Sequence, residues 1–128
     1  MRLIACEEAW SIPEVAAELK RVSNSPTQSL DKLLVKGIYD APDDTSGYGK
    51  MNFLAGLLDV EQQRLPQMDQ HGVDMHLLTL TAPGVQMFDA DRGTALASLA
   101  NDVLAEAMRR HPTRYAGLAS FAPQDPAR

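Results

Sequence analysis

A chain of 128 residues that is 45% hydrophobic and 23% charged has the balance of one folded domain, not of a disordered, fibrous or membrane-embedded polymer. Twelve Lys and Arg against 17 Asp and Glu give a formal net charge of -5 with no long block of either sign, which excludes the electrostatic footprint of a nucleic-acid binder. No stretch approaches the roughly 20 apolar residues that span a bilayer, and Glu7 and Glu8 stand where a signal peptide needs an apolar run, so a cytoplasmic protein without membrane partners is expected.

The first apolar run, Arg2 to Cys6, stops abruptly at Glu7-Glu8 and predicts a buried strand with polar residues at its carboxyl end. The single Cys6 has no intrachain partner, and its simplest reading is a small buried residue on that strand. From Pro13 the pattern turns helical, with Ser11 as the expected cap, Pro in the first turn and Glu14 near the positive end of the dipole. Ser23 to Lys50 is rich in Ser, Pro, Gly and Asp around a brief apolar island at Leu33 to Val35, and is expected to be an irregular insertion, either a lid or a surface loop.

Asn52 to Gln70 returns to helical spacing in two pieces, because Pro66 must lie near a helix start or make a kink. His71-Gly72 ends the second piece, Val73 to Leu80 reads as a strand, and Thr81 to Gly84 form the loop beyond it. Asp91 to Arg110 is the clearest helix, with Leu96, Leu99, Ala100, Val103, Leu104 and Ala107 expected on one buried face and Arg109-Arg110 at its negative end. Arg114 to Phe121 is the third strand.

Strands that alternate with helices predict an α/β fold with parallel neighbours. Three such units fall short of a closed barrel, which takes about 250 residues, and an open three-stranded sheet leaves two edges unpaired. The chain is therefore expected to be a partial barrel domain over residues 1–128, with its insertion at about 23–50.

In parallel α/β folds the reactive groups gather at the carboxyl ends of strands. Three segments qualify here: Glu7 to Trp10, Thr81 to Gln86 and Ala122 to Pro126. Successive strand residues point to opposite faces, so one of Glu7 and Glu8 faces a barrel mouth and the other faces the surrounding helices. A carboxylate at the mouth binds a hard divalent cation or transfers protons. Spacing alone favours the plainer reading, two solvated charges ending a strand. His76, in mid-strand, reads as a packed core histidine, and His71 and His111 as helix-end residues. Trp10 and Phe88 suit an aromatic-binding pocket or a core equally well. Asn101 and Asp102 are assigned to structure.

Read in order, these segments carry a resemblance. Ala5-Cys6-Glu7-Glu8-Ala9-Trp10-Ser11-Ile12-Pro13-Glu14 is similar to the opening of amidohydrolase-type decarboxylases that act on resorcylate, dihydroxybenzoate and carboxyvanillate. Arg64-Leu65 with Met68-Asp69 and Gly72-Val73-Asp74, Leu78 to Gln86, Ala100 to Glu106, and His111 to Tyr115 ending in Ala122 to Pro126 continue it over nearly the whole chain apart from the insertion. The resemblance implies the amino-terminal portion of a (β/α)8 barrel whose first strand supplies a metal ligand, Glu7, while a His and an Asp from later strands, absent from this chain, complete a zinc or manganese site. The resorcylate branch carries Glu-x-His on that strand; this chain has Ala9 at the His position, as in the carboxyvanillate branch. That branch also holds the substrate carboxylate with an Arg from the insertion. None lies between Arg21 and Arg64, and Lys50 is the nearby substitute, a point charge without bidentate geometry. Trp10, Lys50, Thr81 and Pro83 are the expected contacts of a small aromatic acid. The implied activity is non-oxidative decarboxylation by a full-length homo-oligomer. The rivals are amide or lactone hydrolysis on the same scaffold, since fold does not decide chemistry, and a catalytically silent fragment.

Overall fold

The computed structural model describes residues 1–26, 29–39 and 52–126. Within them, three strands, β1 (Ile4–Trp10), β2 (Met75–Leu80) and β3 (Tyr115–Gly117), pair in parallel in the order β1-β2-β3. Parallel neighbours need a crossover. Helices α1 (Pro13–Ser23), α2 (Leu30–Tyr39), α3 (Phe53–Leu58) and α4 (Arg64–Gln70) lie between β1 and β2, and α5 (Ala90–Arg110) lies between β2 and β3. This is the α/β arrangement that the alternating pattern predicts.

The alternation of strand residues sorts the sheet into two unlike faces. Trp10, Leu78 and Tyr115 are almost fully buried and join Val15, Leu19, Leu57, Met68, Leu96 and Leu104 in one core beneath the helices. Each large apolar side chain taken out of water contributes roughly 1.5–3 kcal/mol, so the helix side holds the fold together. The other face stays open among the described residues: Ile4 is 46% exposed and Leu118 56%. Parallel sheets are ordinarily covered on both faces.

Several local expectations give way. The Ser23 to Lys50 insertion is not irregular throughout, because α2 forms within it and buries Val35, Ile38 and Tyr39. Those apolar residues follow helical spacing once Ile38 and Tyr39 are counted with the island before them. Ser11 does not cap α1; Ile12 occupies the cap position without a side-chain bond, and the Ser11 backbone N–H donates to the Leu57 carbonyl at 2.8 Å. Leu99 and Val103 are each 38% exposed, while Gly93 and Ala97 join the buried face of α5. Cys6 is exposed, not buried. β3 ends early because a side chain replaces its next strand partner: the Asn101 amide donates to the Ser120 carbonyl at 2.8 Å and accepts from the Ser120 N–H at 2.7 Å.

Asp59 organises the turn between α3 and α4. Its carboxylate accepts from the backbone N–H groups of Glu61, Gln62, Gln63 and Arg64 at 2.7–3.0 Å, which satisfies the donors of the turn and of the first residue of α4. Burial works to raise the Asp59 carboxyl, but the four N–H donors outweigh it and hold it below the usual value. A carboxyl lowered on folding contributes its full stabilisation above the unfolded value of about 3.9 and loses it as the pH falls through the folded value. Asp59→Ala should therefore cost about 1–2 kcal/mol in urea unfolding at pH 7. The gap to the wild type should close below pH 4; a pH-independent gap would show that the charge on Asp59 plays no part.

Candidate functional site at the carboxyl ends of the strands

The pairing of β1 with β2 contains one irregularity. Ile4 lies opposite Met75 and Ala5 opposite His76, but the next partners are Glu8 and Leu78, then Ala9 and Thr79, and Trp10 and Leu80. Three steps along β1 answer two along β2, so Cys6-Glu7 is a β-bulge. Glu7 has φ 60, in the left-handed region. For a residue with a side chain this costs about 1–2 kcal/mol. Strain of this kind persists where the surroundings over-determine it, and it gathers at functional sites.

Beyond the bulge the two glutamates part. Glu8 lies on the helix side, where its Oε2 is 3.7 Å from Arg64 Nη1 and 3.6 Å from His76 Nδ1. Arg64, only 11% exposed in its side chain, also donates to the carbonyls of Ala9 at 2.8 Å, Gly56 at 3.0 Å and Asp59 at 3.0 Å. Burial, assisted by Arg64 and Arg114 and opposed by Glu8, pushes the His76 imidazole below its usual value, so it is uncharged at neutral pH. Glu8, Arg64, His71 and His76 line a cavity of about 450 Å³ between β1, α3 and α4. Glu7 is exposed outside this layer.

The sequence-predicted contacts divide. Trp10 is 1% exposed and Phe88 8%, and both belong to the core beneath the helices, not to a pocket. Thr81 follows β2 directly, its N–H donating to the Trp10 carbonyl at 2.9 Å. Pro83, after a cis peptide bond from Ala82, lines a cleft of about 290 Å³ with Gln86, Ser120 and Phe121. Lys50 lies outside the described residues. Phe121 was not anticipated at this cleft. No strand period could have placed it, because β3 ends at Gly117 and Phe121 follows in irregular backbone.

Glu7 offers one hard oxygen donor of the kind divalent cations take. Ala9 brings none, and among the described residues no group of three His, Cys, Asp or Glu side chains is placed to hold a metal. As far as it goes, the donor set fits a single ligand of a larger site.

The chain matches no protein-family model. It is 44% identical over 71 residues to a gamma-resorcylate decarboxylase of Polaromonas sp., a stretch covering 55% of this chain and 22% of that enzyme. Its fold superposes on the crystal structure of 5-carboxyvanillate decarboxylase from Sphingomonas paucimobilis with a TM-score of 0.88 and 50% identity, over 98% of this chain and 36% of that one. The 5-carboxyvanillate decarboxylase of Novosphingobium aromaticivorans, solved with manganese and 4-hydroxy-3-methoxy-5-nitrobenzoic acid, gives a TM-score of 0.86 and 36% identity, covering 98% and 35%. The chain thus spans about a third of the solved relatives and less than a quarter of the curated one.

The left-handed backbone at residue 7 is open to a direct test. Glycine adopts such φ values without a Cβ penalty. Glu7→Gly should be more stable than Glu7→Ala by about 1 kcal/mol in urea unfolding, although alanine is the better residue in regular structure. An alanine variant as stable as the glycine one would place residue 7 in ordinary extended backbone.

Proposed function

We propose that this chain, whose sequence and fold match the amino-terminal part of the amidohydrolase-type decarboxylases, forms the first part of an enzyme that removes carbon dioxide from a hydroxylated benzoate without oxidation. The observation that carries this reading is the placement of Glu7: a strained bulge midway along the first strand of a parallel sheet, which runs on to Trp10 where the sequence pattern ended it at Cys6, in a chain 50% identical to a carboxyvanillate decarboxylase.

In this reading Glu7 donates a carboxylate oxygen to a divalent ion, with manganese favoured over zinc because relatives were solved with it. When bound, that ion supplies Lewis acidity toward the substrate's oxygens. Ala9 leaves the neighbouring position without a donor, so the remaining ligands come from outside the described residues. Pro83 and Thr81 shape the loop against which the aromatic acid lies, and the ammonium of Lys50 draws in its carboxylate. Trp10 acts from beneath, as the packed support of the strand end. The net change breaks the bond from ring carbon to carboxylate, sets a proton on that carbon and releases carbon dioxide; nothing is oxidised. The same reading assigns the full-length protein to the cytoplasm as a homo-oligomer. The apolar side chains of Leu30 and Leu33 on α2, 85% and 66% exposed, support a covered surface there.

A hybrid barrel tests it. Residues 1–126 replace the matching segment of the Sphingomonas decarboxylase, and manganese content and release of carbon dioxide from 5-carboxyvanillate are measured. The hybrid should hold manganese and turn over substrate, and Glu7→Gln within it should lower metal affinity by about 100-fold or more, the scale on which even supporting residues act. A folded hybrid whose Glu7→Gln variant keeps metal and rate sinks the assignment.

A further inference from the structure

Two adjacent glutamates lie midway along β1, and the structure makes only one of them available on the open face. With Ala5 fixed opposite His76, an unbulged strand would set Glu7 opposite Leu78 and Glu8 opposite Thr79. A one-residue slip sends every later side chain to the other face. Glu7 would then enter the helix layer, Glu8 would take the open face, and the two carboxylates would exchange roles.

We infer that Arg64 is the positioning residue that selects the bulged register and so presents Glu7 rather than Glu8; its consequence for metal binding rests on the reading of Glu7 given above. Arg64 grips β1 at the two residues that follow the bulge. It pairs with the Glu8 carboxylate at 3.7 Å and donates to the Ala9 carbonyl at 2.8 Å. The Trp10 carbonyl accepts from Thr81, the residue that follows β2, and alternate carbonyls of a strand point to opposite edges, so the Ala9 carbonyl is directed away from β2. Arg64 supplies the donor it needs.

The guanidinium is itself fixed from behind by the carbonyls of Gly56 and Asp59. Its backbone N–H is held by the Asp59 carboxylate at 3.0 Å. A planar fork with five N–H groups can serve three carbonyls while its charge stays within ion-pair distance of a carboxylate; a lysine ammonium, a point charge on a single flexible stem, lacks that fixed geometry. In the slipped register the Glu8 carboxylate would leave Arg64 and His76, and a nearly buried guanidinium would lose its counter-charge, which costs far more than an exposed pair is worth. Burial of Trp10, which shares the helix side with Glu8, acts in the same direction. Between Ala5, fixed by β2, and Glu8, fixed by Arg64, Cys6 and Glu7 must absorb the extra residue, and the left-handed φ at Glu7 follows.

The test is nuclear magnetic resonance on the isotope-labelled chain without metal. The wild type should show one set of signals for residues 6–9, a strong intraresidue contact between the N–H and Hα of Glu7 that marks positive φ, and contacts from Glu8 to Leu78. Arg64→Gln and Arg64→Lys should both add a second set in which Glu7, not Glu8, touches Leu78. Lysine should fail to restore the single set. An exposed-pair control, Arg92→Gln, which removes only a partner of Glu18, should leave residues 6–9 unchanged. If the Arg64 variants do not fold, Glu8→Gln, which keeps the carbonyl bonds, should show the second set at a smaller population. One unchanged set with positive φ at Glu7 in the folded Arg64 variants, or in Glu8→Gln where those do not fold, overturns the inference. Because no metal is present, these spectra can fail while the hybrid barrel succeeds, and the reverse.

Discussion

A strand of period two offers each side chain only two directions, and on β1 those directions lead to different worlds. One side is a packed core under helices; the other is open. A carboxylate sent inward must find partners, since an unpaired buried charge costs several kcal/mol. Glu8 has a counter-charge in Arg64, and Glu7 is left for the open face. Most of what the molecule can do chemically depends on that partition, and the bulge at Cys6-Glu7 is what produces it.

The strain and its support belong together. Residue 7 in left-handed backbone is unfavourable by itself, yet pairing with β2 holds one end of the bulge, and Arg64, the buried Trp10 and the Ser11 bond to Leu57 hold the other. Arg64 also links this strand end to the Asp59 turn, where a single carboxylate organises the start of α4. The stretch from Asp59 to Arg64 thus acts as a bracket behind the first strand. The motif Arg64-Leu65 with Met68-Asp69, legible in the sequence as part of a resemblance, acquires a physical meaning here: Met68 fills the core and Arg64 holds the strand.

The periodicity of residues 91–110 announced the long helix, and the strand-helix order announced a parallel sheet. Both follow from apolar spacing, which a single sequence displays directly. The resemblance pointed to decarboxylases, and the relatives that match this chain carry that name. Less visible was α2, because its buried residues, Val35, Ile38 and Tyr39, are separated by Lys36 and Gly37 and lie among turn-forming neighbours. The bulge was hidden as well: alternation says that two adjacent glutamates face opposite ways, but not which way each faces. That choice is made by Arg64, 56 positions further on, and no local pattern encodes it. Trp10 was ambiguous for a related reason, since an aromatic residue near a strand end fits a pocket or a core equally well until its neighbours are known.

In the proposed reading the metal site lies on the open face, is completed by groups from beyond the described residues, and takes Glu7 as its ligand from the pair. The most direct measurement is diffraction at the manganese absorption edge from crystals of the hybrid barrel soaked in manganese. The anomalous difference map should show a peak within coordination distance of the Glu7 carboxylate. A peak seated on Glu8 instead, or a fully occupied site elsewhere with Glu7 free in solvent, would contradict the partition of the two glutamates on which the proposed chemistry stands.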